Sequence, residues 1–183
     1  MNGFNDDGQY FIYLNERMSE PIEVYCEMKS GGWTRFMNRI NIQPKELGLF
    51  NKSMQEYTNG FGDVLLNHWL GLHNIKKLCD QEQMSLRIEF KSQNLDEYYI
   101  EYDLFELSEN KYELNLGRML NGSVTDLLRY QNGSKFTTYD QDNDSETKGN
   151  CAKEFNGGWW HSFYFSTCYT CDCQNFDSSS EYW

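Results

Sequence analysis

The chain has 183 residues, with 16 Lys plus Arg against 28 Asp plus Glu and a formal charge of −12. A pI near 4.6 excludes a basic nucleic-acid face and attraction to an anionic membrane, and no apolar run approaches the roughly 18 residues of a membrane span. Aromatics at 16% exclude a disordered acidic chain, and the length fits one domain able to bury close to ~70% of its unfolded surface. Residues 9–14 and 22–28 read as strands from aromatic and β-branched content, with clear alternation in the second. Gly31-Gly32 marks a turn, and 33–36 reads as a further strand. Ser53 with Glu56 forms a capping box that predicts a short helix over 53–59, closed by Gly60. A second short helix is predicted over 64–70. Residues 85–90, 97–105 and 111–116 continue the strand pattern, and 126–129 reads as a helical turn. From Gln131 onward Gly, Asn, Asp, Ser and aromatics dominate without a period; long irregular segments of this kind are often functional. The class is α+β, an antiparallel sheet with short helices.

Six cysteines stand at 26, 79, 151, 168, 171 and 173. An even count is compatible with disulfides and an oxidising compartment. The first seven residues are polar and acidic, without the basic and apolar regions of a signal peptide. Either the protein is intracellular or its signal lies upstream. Asn-x-Ser sequons at Asn51, Asn121, Asn132 and Asn143 lean towards secretion.

Asp140-Gln141-Asp142-Asn143-Asp144 alternates carboxylates with amides. Hard divalent cations take six to eight oxygens, which closely spaced carboxylates supply. An EF-hand does not fit: with Asp140 first, position six is Ser145 instead of Gly and position twelve is Cys151 instead of Glu. A different Ca²⁺ loop and a solvated acidic turn both remain open on pattern alone.

Ordered strings then accumulate: Gly31-Gly32-Trp33-Thr34, Tyr57-Thr58-Asn59-Gly60-Phe61-Gly62-Asp63, Trp69-Leu70-Gly71-Leu72-His73-Asn74-Ile75 and Leu86-Arg87-Ile88-Glu89. Glu101-Tyr102-Asp103-Leu104-Phe105, Lys135-Phe136-Thr137-Thr138-Tyr139-Asp140, Asn150-Cys151-Ala152 and Gly157-Gly158-Trp159-Trp160 follow. Over about residues 8–160 the sequence resembles the fibrinogen C-terminal (fibrinogen-related) domain of fibrinogen chains, ficolins, angiopoietins and tenascins. The resemblance implies one fibrinogen-like domain over 1–183 with a central twisted antiparallel sheet, a long calcium-loop region and a divergent tail at 161–183. It places Ca²⁺ on Asp142 and Asp144 with the backbone carbonyls of Glu146 and Lys148. One extra residue before Asn150-Cys151 makes Thr147 and Gly149 the alternative pair. It also implies a non-enzymatic, secreted, lectin-like module for acetylated glycans. The alternatives are a receptor- or matrix-binding signalling domain, or a partial gene product without binding activity.

The family places a Cys four residues after the double Trp, paired with the counterpart of Cys151; here that position is Tyr164, and Cys168 is the nearest Cys. A Cys151–Cys168 bridge would close a longer loop. Cys26 matches a cysteine that pairs upstream of the family domain, and the chain reads as truncated at both ends.

Other chemistry is weaker. Cys168, Cys171 and Cys173 with Cys79 or His161 could hold zinc, but no second Cys pair supports it. His68, His73 and His161 show no spacing that makes a Cys–His hydrolase, and His68 reads as a core or subsurface residue. Glu101 and Asp103 share a strand face, where same-face carboxylates are usually solvated and are not a glycosidase pair. Trp33 and Trp69 read as core. Trp159-Trp160 could stack on a sugar, although buried aromatics more often anchor packing.

Overall fold

The computed structural model describes residues 5–14, 20–40, 48–91, 96–164 and 167–169. Strands β1 (Gly8–Ile12), β2 (Ile22–Glu27) and β3 (Trp33–Arg35) form an antiparallel sheet in that order. Gly8 opposes Cys26 and Ile12 opposes Ile22. The alternation in β2 turns Val24 and Cys26 inward, and both are buried. Trp33, expected in the core, instead stands half-buried at the β2–β3 turn, where its indole N–H donates to Ser30 O at 3.1 Å.

Helix α1 (Met54–Asn59) begins as its capping box predicts: Ser53 accepts from Glu56 N while Glu56 accepts from Ser53 N. β5 (Phe61–Gly62) and β6 (His68–Trp69) flank a turn and join β4 (Met37–Asn38) in the order β4-β6-β5. The helix expected over 64–70 is therefore a hairpin. Asp63 Oδ1 accepts from Leu65 N at 2.8 Å, and Asp63 N donates to Asn67 O at 3.0 Å, closing the turn that a helix would have spanned. The helix lies one step later, as α2 (Leu72–Cys79), with Leu72 and Ile75 buried.

β7 (Met84–Lys91), β8 (Glu97–Leu107) and β10 (Met119–Gly122) form the largest sheet, ordered β10-β8-β7, with β9 (Leu114–Leu116) also on β8. The strand expected from 111 starts only at Leu114, because Lys111 and Tyr112 adopt positive φ in a turn. Residues 126–129 form a bend and turn, closed by Gln131 N donating to Leu128 O, and no helix forms there. Farther on, α3 (Cys151–Glu154) and the hairpin of β11 (Ser162–Tyr164) and β12 (Thr167–Tyr169) appear, together with a bridge between Thr137 and Trp159. Within the segment that showed no sequence period, α3 owes its start to Asn150, whose side chain accepts from Lys153 N.

An aromatic cluster sits at the centre of a largely aliphatic core. Trp69, 1% exposed, lies with ring centroids 5.4 Å from Tyr57, 5.7 Å from Phe136 and 6.1 Å from Trp160. Offset and edge contacts of this kind add about 0.5–1.5 kcal/mol per pair beyond their burial. The indoles are also satisfied: Trp69 donates to Tyr57 O and Trp160 to Tyr112 O. Phe136, fully buried, carries this core directly into the acidic loop that follows it.

Candidate functional site: the acidic loop

The loop is tied down at its base before its carboxylates diverge. Thr137 exchanges two backbone hydrogen bonds with Trp159. Asn143 N donates to Thr137 Oγ1, and its Nδ2 donates to Phe136 O at 2.8 Å. Asn150 Nδ2 donates to Thr138 O at 3.0 Å. Asp140 faces α1: its Oδ1 accepts from Met54 N at 2.9 Å and from Thr138 Oγ1 at 2.7 Å. The first carboxylate of the run is thus structural, placed at the amide end of a helix where negative charge is favoured.

Beyond Asp140 the alternation has a local cause. Asp142 Oδ1 accepts from Asp144 N, Asp144 Oδ1 from Glu146 N, and Glu146 Oε1 from Lys148 N, each two residues on. These are successive side-chain-to-backbone turns, and they need a carboxylate acceptor at every second position. Asp144 Oδ2 also accepts from Cys151 N at 2.9 Å, the first residue of α3. Thr138, Asn143 and Asn150 escaped sequence reasoning as positioning residues, since a polar side chain signals nothing until its backbone partner is known.

A depression of about 450 Å³ opens beside the run, lined by Asp140, Asp142, the 146–149 segment and Lys153. Asp142 faces it. Desolvation, the neighbouring Asp144 carboxylate and a hydrogen bond to it raise the Asp142 carboxyl above its ordinary value, while Asp144 N and Lys153 pull the other way. Asp142, Asp144 and the backbone carbonyls of residues 146–149 are all hard oxygen donors, the set that fits Ca²⁺. Glu146 and Lys148 line the depression, and so do Thr147 and Gly149. Among the described residues no three His, Cys, Asp or Glu side chains cluster to hold a metal, so a cation here depends on backbone carbonyls.

The other candidates resolve separately. Arg87 pairs with Glu101, and Arg118 with Asp103, whose Oδ1 also accepts from Arg118 N at 2.6 Å; both carboxylates serve the sheet. His68 is 7% exposed in β6, as a core residue. His73, the second residue of α2, is exposed. Trp160 and His161 are each 1% exposed. Cys26 and Cys79 are free thiols, both raised by burial, Cys79 to about 11. Cys151 is disulfide-bonded. The side chains of Cys168 and Tyr164, together with Cys171 and Cys173, lie outside the described residues, and the zinc cluster with them.

The protein belongs to the family of the C-terminal globular domain of the fibrinogen beta and gamma chains, whose sequence profile matches residues 1–179. It is 37% identical to human Tenascin-R over 165 residues, covering 88% of this chain and 12% of that protein. It is 35% identical to mouse Angiopoietin-related protein 1 over 163 residues, 87% of this chain and 32% of that protein. The chain therefore spans only a small part of the curated relatives it matches. The fibrinogen-like globe domain of human ANGPTL2 superposes with a TM-score of 0.79 at 32% identity, covering 88% of this chain and 73% of that one. A lamprey fibrin D-dimer, solved with the peptide Gly-His-Arg-Pro-amide, gives 0.75 at 25% identity over 90% of this chain and 58% of that one.

Proposed function

We propose that the protein is an extracellular, non-enzymatic recognition module that binds Ca²⁺ through Asp142 and Asp144 and engages protein partners of the receptor or matrix type. The observation that carries this reading is the loop itself. Asp142 lines a depression shared with the 146–149 segment, Asp144 crowds it from the next turn, and the loop is tied to both α1 and α3. Ca²⁺ would neutralise the pair and hold the 146–149 backbone, leaving a preorganised surface that loses little entropy on binding. The bridged Cys151 supports an oxidising compartment. Relatives of the tenascin and angiopoietin-related kind, and a lamprey relative solved with a peptide, support a protein segment as ligand.

The acetylated-glycan reading would call for a sugar pocket after Trp160; among the described residues there, His161 is packed into the core beside Trp160, and the tenascin and angiopoietin-related relatives favour the protein partner. The test is solid-phase binding of the protein to purified matrix proteins and to acetylated glycans, in Ca²⁺ and in EDTA. Saturable, Ca²⁺-dependent protein binding that Asp142→Ala/Asp144→Ala abolishes is expected. Saturable binding confined to acetylated glycans would move the function to a lectin. Binding indifferent to EDTA and to the double variant would remove the loop from the function.

A further inference from the structure

Four Asn-x-Ser triplets give the protein four formal acceptors for N-linked glycan. By residue exposure three of them, Asn51, Asn121 and Asn132, are exposed, and Asn143 is half-buried. Their amide hydrogen bonds separate them differently. Asn132 uses both ends of its side chain on one residue: Oδ1 accepts from Leu116 N at 2.9 Å and Nδ2 donates to Leu116 O at 3.2 Å. It stands in for a strand beside β9, together with the Gly133 N to Leu114 O and Leu114 N to Ser134 O bonds. Such a two-point pairing uses the Nδ2 hydrogen on the same side as Oδ1. In a secondary amide that position is taken by the substituent, since the other isomer costs about 2.5 kcal/mol. A sugar on Asn132 would therefore displace the pairing. Asn143 Nδ2 donates to Phe136 O at the base of the acidic loop, so a sugar there would load the tether itself.

Asn51 and Asn121 differ from both. Asn51 is exposed, three residues before α1, and its side chain makes no hydrogen bond among the described residues. Asn121 lies on β10, at one end of the described sheet; its Oδ1 accepts from Gly122 N at 2.9 Å and its Nδ2 is unengaged among the described residues. We infer that Asn51 and Asn121 are the glycan acceptors of this protein and that Asn132 and Asn143 are not. In the transfer, asparagine Nδ2 attacks the anomeric carbon of a lipid-diphosphate-linked oligosaccharide. The new N–C bond replaces the C–O bond to the diphosphate, which leaves with the electron pair, and the amide gives up one proton. Transfer precedes folding, and the fold then decides which products survive export. A glycan at Asn121 would cover β10 beside Leu120, which is 59% exposed; one at Asn51 would flank the Met54–Asp140 tether of the acidic loop.

The inference rests on the extracellular reading only through passage along the secretory pathway. The test supplies that passage by secreting the full-length protein from cultured human cells behind a heterologous signal peptide. Secreted protein is deglycosylated enzymatically in 18O-labelled water and peptide-mapped by mass spectrometry. Label at Asn51 and Asn121, with none at Asn132 and Asn143, is expected. An unlabelled Asn51 or Asn121, or label at Asn132 or Asn143, would overturn the assignment. The Cys151 peptide in the same map reads the other premise: a reduced Cys151 would count against the extracellular reading and leave the glycan result standing separately.

Discussion

Tyr57 shows how much of this fold a single residue can hold. It is 1% exposed; its hydroxyl donates to Phe50 O at 2.6 Å and accepts from Gly158 N at 3.0 Å, joining residues 101 positions apart. A Cβ on Gly158 would lie 2.5 Å from Tyr57 Cε2, so only glycine lets the backbone come this near the ring. Tyr57→Phe keeps the ring and leaves the buried Gly158 amide unpaired, while Phe50 O keeps only its bond from Lys52 N, a cost of about 1–3 kcal/mol. Urea denaturation should show a lower midpoint with an unchanged slope. His68 carries a pH signature. Burial lowers its imidazole pKa, Arg35 adds to this, and Asp63 partly offsets it. A histidine with a depressed folded pKa is protonated more readily when unfolded, so its contribution holds above the unfolded value of about 6.5 and is lost as pH falls below it. Stability of the natural protein minus that of His68→Gln should decline through that range; a difference flat with pH would contradict the assignment.

At the scale of elements, α1 is both a helix and an anchor for the acidic loop. Ser53→Ala removes its cap and should cost about 1 kcal/mol, or roughly 2–4 °C in Tm for a protein of this size. Asp140→Ala removes the contact to Met54 N and should cost a similar amount, read by the same thermal melt; it should also weaken Ca²⁺ binding, which Ser53→Ala should leave near its original strength. The capping box was legible because its chemistry is local, and so were β2, β7 and β8, where alternation matches the buried face. The segment at 64–70 was not: Val64, Leu65 and Trp69 have helix-like spacing, but Asp63 and Asn67 close a turn between two short strands. α2 was missed because Gly71 precedes it and offers no capping side chain. In the acidic loop the closely spaced carboxylates of Asp142 and Asp144 were legible as a run. Their tethers were not, since Phe136 O, Thr138 O and Met54 N become partners only once the chain has folded.

Across the whole molecule, a charge of −12 surrounds a core of aliphatic residues built around an aromatic cluster. Arg35, Arg87 and Arg118 neutralise carboxylates on the sheets, whereas in the acidic loop Asp140, Asp142 and Glu146 share the depression with Lys148 and Lys153. A divalent cation bound there would stabilise the native state by mass action, since the unfolded chain does not hold these donors together. The most direct measurement is a calorimetric Ca²⁺ titration of the folded, oxidised protein beside Asp142→Ala/Asp144→Ala. One-site binding, lost in the double variant and accompanied by a higher Tm in excess Ca²⁺ for the natural protein alone, is the predicted result. No binding heat, with melting unchanged by Ca²⁺, would contradict the account and leave the carboxylate run as a set of backbone turns.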